Sequence, residues 1–266
     1  MKDILIIGAG WLGLPLAGHL LSQGYRVHGT TTQPDKLAEL KRWGLKGHLY
    51  GLGDDPAGLP KAHQLIFTVP PTKGGTGYAE KAAALFQHLA EQGTSQAIYT
   101  SSTAVYSPSP NYQNEDAPAI STEGSAPVLL QVEQQLRSTF SQALVVRLGG
   151  LIGPGRHPGR FLGGKKELSG GDVPVNYTTL EDACRLILEL IVRESVGTYN
   201  VVTPSHPKKS EFYSFASAEL GFEPPQFDPV KALEGYKCID GRRVAEVTST
   251  EYLNTDWKRY LLSLRR

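Results

Sequence analysis

Three glycines in the order Gly8-Ala9-Gly10-Trp11-Leu12-Gly13 follow directly on the apolar run Ile4-Leu5-Ile6-Ile7. A Gly-x-Gly-x-x-Gly turn between a strand and a helix suits the holding of a dinucleotide pyrophosphate. Gly8 permits the tight turn. Gly10, lacking Cβ, lets the backbone come close to the phosphates, and Gly13 lets the next helix pack on the strand. Unpaired N–H groups at the helix start, with the helix dipole, attract phosphate charge, so Trp11 and Leu12 join the three glycines as expected cofactor contacts. The competing reading is a strand–helix turn whose glycines serve packing alone. A second signal lies at His28-Gly29-Thr30-Thr31-Thr32. An NAD-selective site places Asp or Glu at the end of this strand to accept from the ribose 2′-OH, and an NADP site places Arg nearby. Neither is present. The hydroxyls of Thr30 and Thr31, with Lys36, suit a weakly held phosphate, and the missing carboxylate tilts the expectation from NAD(P) in general toward NADP. Capping of the next helix is the alternative for these threonines.

The elements that must position these residues alternate along the chain. Strands are expected from Asp3 and over Tyr25–Gly29, Lys46–Leu52, Gln64–Val69, Ala97–Thr100, Ala143–Leu148 and Thr198–Val202. Helices are expected over Leu12–Ser22, Asp35–Trp43, Tyr78–Gln92, Val128–Phe140, Leu180–Arg193 and Lys209–Leu220. Thr72–Gly77 reads as a glycine-rich mobile connection. Such alternation implies crossover connections and a parallel sheet covered on both faces. The expected fold is α/β, a Rossmann-type doubly wound parallel sheet with a small C-terminal substrate annex. Residues 1–152, rejoined by 176–205, form the core; residues 153–175 and 206–266 form the annex. Ligands in such sheets sit beyond the carboxyl ends of the strands, so functional loops should begin at Gly8, Gly29, Thr68, Thr100 and Leu148.

Composition narrows the partners. The chain has 266 residues, a net charge of +1 and no dense basic block, which argues against nucleic acid as a main partner. Lys208-Lys209 and Arg265-Arg266 read as short solvated stretches. Two cysteines, Cys184 and Cys238, are too few for a disulfide framework or a zinc site, and the histidines lack metal-ligand spacing, so no metal is expected. No apolar run approaches a membrane span and no cleavable leader pattern opens the chain, so a reducing cytoplasm is expected.

Several segments together resemble the atypical extended short-chain dehydrogenase/reductases, within the NAD-dependent epimerase/dehydratase superfamily. They are Gly8–Gly13, Thr100-Ser101-Ser102-Thr103-Ala104-Val105-Tyr106, Arg147-Leu148-Gly149-Gly150-Leu151-Ile152-Gly153-Pro154-Gly155-Arg156 and Tyr199-Asn200-Val201-Val202. Within that group the chain is most similar to the YeeZ-like branch, through Gly10-Trp11-Leu12-Gly13-Leu14-Pro15-Leu16-Ala17, Gly155-Arg156-His157-Pro158-Gly159-Arg160-Phe161 and Phe222-Glu223-Pro224-Pro225-Gln226-Phe227. The resemblance implies a hydroxyl at Ser102 that hydrogen-bonds a substrate carbonyl or hydroxyl, with Thr103 beside it. Thr100, Ser101, Val69 and Pro70 would lie along the cofactor, and Gly150, Arg156, His157 and Arg160 would face the substrate. Backbone capping by the hydroxyls and a solvated loop for the charges are the alternatives.

The typical family members also use a Tyr-x-x-x-Lys pair, because a hydride delivered to a carbonyl leaves an alkoxide that needs a proton. None of the twelve tyrosines here has Lys four residues on, and the expected positions fall on Ser125 and Leu129. Tyr106 either replaces the missing phenol or packs beneath the loop. The resemblance therefore implies an NAD(P)-binding oxidoreductase or epimerase-like protein acting on a nucleotide-sugar-like or small carbonyl substrate. The other reading is a non-catalytic NAD(P)-binding sensor or regulatory module, which the lost pair favours.

Overall fold

The computed structural model describes residues 2–228 and 235–264; Arg265 and Arg266 lie outside the described residues. Strand β1 (Asp3–Ile7) leads into α1 (Gly13–Ser22), β2 (Arg26–Thr31), α2 (Leu37–Arg42), β3 (Lys46–Leu49) and β4 (Gln64–Phe67). Then come α3 (Pro71–Gly74), α4 (Tyr78–Glu91), β5 (Gln96–Ser102), β6 (Tyr112–Gln113), α5 (Ala126–Thr139), β7 (Gln142–Leu148) and β8 (Gly150–Ile152). The chain continues through α6 (Gly159–Leu162), β9 (Tyr177–Thr179), α7 (Leu180–Val192), β10 (Gly197–Val201), α8 (Lys209–Glu219), β11 (Cys238–Ile239), α9 (Arg242–Thr248) and α10 (Trp257–Ser263). Two expected elements differ in detail. The helix expected over Asp35–Trp43 opens as a 3-10 turn at Pro34–Lys36 before α2, because Pro34 starts a turn that tightens before it becomes α-helical. The connection read as mobile at Thr72–Gly77 contains most of α3, a single turn begun by Pro71, whose fixed φ suits the first helical position.

Seven strands form one parallel sheet in the order β3-β2-β1-β4-β5-β7-β10, the expected Rossmann-type arrangement. The order runs outward in both directions from β1 and β4, so the switch point lies between them. Burial explains the composition of these strands. Ile4, Leu5, Ile6 and all four residues of β4 are at most 3% exposed, as a sheet covered on both faces requires. Helix α4 buries Tyr78, Ala82, Leu85, Phe86 and Leu89, and α5 buries Leu129, Val132 and Leu136. Phe67 meets Phe86 edge-on at 5.3 Å and Tyr99 at 5.7 Å between ring centres.

The chain divides into two compact units: Met1–Val105, Ala119–Arg147 and Cys184–Tyr199, then Tyr106–Pro118, Leu148–Ala183 and Asn200–Arg266. The second unit has its own apolar cluster. Tyr177 stacks on Phe212 at 5.6 Å, Phe212 meets Trp257 at 5.3 Å, and Ile152, Ala216, Tyr260 and Leu261 complete it. Glu181 and Asp182, in the first turn of α7, serve structure there. Asp182 accepts from the backbone of Leu253 and Asn254, and Glu181 accepts from the Tyr260 hydroxyl. Among the described residues no helix is long and apolar enough to cross a membrane, and Cys184 and Cys238 are buried free thiols.

In the first unit a charged group lies within the packing. Glu133 of α5 is fully buried. Its carboxylate accepts from Arg147 of β7 at 2.7 and 3.0 Å, from the Ser101 hydroxyl of β5 at 2.7 Å and from Arg137 at 3.2 Å. Burial alone would raise its pKa. The hydrogen bonds and charge of Arg147, with Ser101 and Arg137, outweigh burial and hold it below the usual carboxylate range. A second polar pair sits toward the opposite sheet edge. His28 and His48 stack with ring centres 5.2 Å apart and share a 3.0 Å N···N hydrogen bond. Burial, then His48 and Lys46, lower the pKa of His28, with Asp3 opposing; burial and Lys46 lower that of His48.

Two outcomes follow from these polar groups. Glu133→Gln leaves Arg147 buried against a neutral amide and should destabilise the protein by about 3–5 kcal/mol in denaturant unfolding. Both histidines take up protons less readily in the folded state than in the unfolded chain, where histidine titrates near about 6.5. Stability should therefore fall between pH 7 and pH 5, and His28→Asn combined with His48→Gln should flatten that slope in melting curves taken across the range.

Candidate functional site

The parallel register brings four strand ends to one edge of the sheet. Ile6 pairs with Gly29, Ile7 with Phe67, and Phe67 with Tyr99. Gly8, Thr30, Thr68 and Thr100 thus emerge side by side, and the first three are directly joined. The Gly8 N–H donates to the Thr30 hydroxyl at 3.0 Å, and the Thr68 hydroxyl donates to the Gly8 carbonyl at 2.7 Å. Ala9 N–H donates to the Thr30 carbonyl at 3.0 Å, and Gly10 N–H to the Gly8 carbonyl at 2.7 Å.

The three glycines are distinguishable by what a side chain would meet. Gly8 has φ +96°, and a Cβ there would lie 3.0 Å from both Thr68 and Val69. At Gly13 a Cβ would come within 2.6 Å of the Gly8 carbonyl oxygen, so the helix packs on the turn only because this residue is glycine. At Gly10 the nearest atom would be 3.9 Å away, and the residue is exposed. Protein packing therefore accounts for Gly8 and Gly13 but places no demand on Gly10. The open space above Gly10 fits a group that approaches the bare backbone. Helix α1 starts at buried Leu12 without a side-chain cap, and Trp11 is half-buried beside it. A diphosphate at this start would satisfy leading amides that no side chain serves.

Other residues flagged in the sequence divide by geometry. Thr30 is 2% exposed and its hydroxyl serves Gly8, so it braces the turn from behind, while Thr31 accepts from the Gln33 N–H at 3.2 Å. Ser101 is buried against Glu133, and Thr100 donates to the Phe67 carbonyl at 3.4 Å. Ser102 is half-buried, and its oxygen accepts from the Ala104 N–H at 3.2 Å, so its own proton remains for donation. Thr103 starts the following 3-10 turn. Val69 and Pro70 follow β4, where the Tyr78 hydroxyl fixes the Val69 carbonyl at 2.7 Å. Ser125 is exposed at the start of α5, and Leu129 is 3% exposed in the core. The two positions that would carry the acid–base pair hold a hydroxymethyl group in solvent and an apolar side chain in packing.

Within the second unit, Tyr106 is fully buried and its hydroxyl donates to Asn200 at 2.9 Å. Of the two roles open to it, this is packing: the single phenolic proton is spent on a buried amide. Gly150 donates its N–H to the Asn176 carbonyl at 2.8 Å. His157 is buried, and its Nδ1 accepts from the Gly159 N–H at 3.2 Å, which orders the start of α6. Arg156 and Arg160 are exposed. Among the described residues no cluster of three or more His, Cys, Asp or Glu suits a metal ion. Sequence reasoning took Thr68 only as the start of a loop and passed over Glu133 and Arg147 as site supports. Their partners are set by register across strands, which no local pattern displays.

No family model matches the chain. The curated protein YeeZ of Escherichia coli K12 is 34% identical over 268 residues, covering 96% of this chain and 97% of the relative. A functionally unknown conserved protein of Silicibacter pomeroyi superposes with a TM-score of 0.82 at 22% identity, covering 100% of this chain and 98% of that one. The UDP-glucuronic acid 4-epimerase of Bacillus cereus, solved with UDP-glucuronic acid and NAD, superposes with a TM-score of 0.76 at 16% identity, covering 99% and 98%. These structures share the doubly wound sheet built here around the braced glycine turn. With a relative matched at that identity over almost its whole length, this chain belongs to the YeeZ family and carries the fold of the NAD-dependent epimerases.

Proposed function

We propose that this protein is an NAD(P)-dependent enzyme of the epimerase/dehydratase or reductase kind, acting on a nucleotide-sugar-like or small carbonyl substrate. The observation that carries the reading is the uncrowded Gly10 beside the switch point of the sheet. The pyrophosphate would lie over Gly8, Gly10 and the start of α1, with Trp11, Leu12 and Gly13 around it. Thr31, Val69, Pro70, Thr100 and Ser101 would line the rest of the cofactor's path. Thr31 with exposed Thr32, and no acid at the end of β2 itself, supports NADP over NAD, since a carboxylate there would repel a 2′-phosphate.

The cofactor, when bound, supplies hydride chemistry. The chain's own part is orientation and hydrogen bonding. Ser102 keeps a donor for a substrate oxygen, with Thr103 adjacent. Exposed Arg156 and Arg160 suit a substrate phosphate, because guanidinium binds two oxygens at once. With Ser125 and Leu129 at the usual acid–base positions and Tyr106 bound to Asn200, the proton comes from water or from another residue that takes the place of the usual acid. Ser102 and Thr103 belong to the first unit, as does the cofactor turn, and Arg156 and Arg160 to the second. Two buried free thiols accord with a reducing cytoplasm.

Calorimetric titration should show binding of NADPH, more weakly of NADH, and a Gly10→Val variant should lose both. Gly13→Ala should instead lower stability by about 1–3 kcal/mol, because its Cβ collides with backbone, while Gly10→Ala melts like the parent. Following reduced-nicotinamide absorbance over a panel of carbonyl compounds and nucleotide sugars should reveal turnover that Ser102→Ala abolishes. Tight coenzyme binding with no turnover on any of them would point to the non-catalytic sensor.

A further inference from the structure

We propose that Thr68 is a positioning residue for the dinucleotide, forming with Thr30 a two-sided hydroxyl clamp on the Gly8 residue. The proposal rests on the reading that this turn holds a pyrophosphate. Gly8 sits at φ +96°, a conformation glycine enters and leaves easily. A turn built on such a residue needs outside restraint if its amides are to hold one direction. The restraint comes from both neighbouring strands. Thr30 of β2 accepts the Gly8 N–H at 3.0 Å, and Thr68, just beyond β4, donates to the Gly8 carbonyl at 2.7 Å and reaches the Ile7 carbonyl at 3.2 Å.

The Gly8 carbonyl then has a full complement of partners. It takes the Thr68 proton and the Gly10 N–H, and Gly13 lies so close that any Cβ would overlap it. Because Gly10 and Gly13 both refer to this one oxygen, fixing it fixes the turn between them and the first amides of α1. Preorganised amides bind an anion without the cost of ordering the turn at the moment of binding. Thr68 touches no ligand in this account; it acts through the Gly8 peptide. Neither hydroxyl is replaceable by an apolar side chain of the same shape, since valine offers neither the proton nor the lone pair.

The test compares Thr68→Val, Thr68→Ser and Thr30→Val in the full chain. NADPH affinity by calorimetry should fall about tenfold in Thr68→Val, the worth of one buried hydrogen bond, and should be restored in Thr68→Ser. Thr30→Val should lose affinity from the other side of the clamp. Without ligand, amide exchange over residues 8–13 should quicken in both valine variants and not in the serine variant, a readout that a purely packing role would leave unmoved. Unchanged affinity in Thr68→Val while the parent binds NADPH overturns the clamp and leaves the pyrophosphate reading standing. A lowered melting temperature with unchanged affinity and exchange overturns it equally. A parent protein that binds neither NADPH nor NADH removes the reading on which the clamp rests.

Discussion

The buried carboxylate of Glu133 ties three elements of the first unit, α5, β5 and β7, to one point. An ionised group removed from water is tolerable only when its lone pairs are filled and its charge is matched. Glu133 meets both conditions through Arg147, Ser101 and Arg137, which come from β7, β5 and its own helix. A shift of one residue in β5 would turn Ser101 to the other face of the sheet and break this network. The strand end that presents Ser102 is therefore held in register by a charge located one residue back.

The same helix records what this chain has changed. Ser125, Leu129 and Glu133 are spaced four apart and so lie along one stripe of α5. In typical members of the resembled family the first two would be the tyrosine and lysine. Here the middle position joins the apolar core and the first is solvated, while the third forms the buried ion pair with Arg147. The support for the strand end is thus built independently of the two positions that the resemblance assigns to the acid–base pair.

How much could be read in advance differs by the range of the interaction. The apolar run Ile4–Ile7, the glycine turn and the alternation of strands and helices are local patterns, and they led to the sheet and to the edge where Gly8, Thr30, Thr68 and Thr100 emerge. The partners of Thr30, Thr68, Ser101 and Tyr106 could not be read in that way. A threonine at a strand end looks alike whether its hydroxyl faces solvent, a ligand or a neighbouring backbone; only the register of β2 and β4 against β1 turns Thr30 and Thr68 onto Gly8. Tyr106 likewise carried two readings until Asn200, 94 residues on, proved to hold its hydroxyl.

By itself the chain's order of residues determined the fold class and the place of the glycine turn. Each depends on residue type within a short span, where backbone geometry and hydrophobic period act directly. Tertiary structure decided which of the three glycines is uncrowded, which hydroxyls brace the turn, and that Tyr106 and His157 are tied into packing. Those outcomes depend on which strands become neighbours and in what register, and neighbours distant in sequence are chosen by burial of the whole sheet, not by any residue alone.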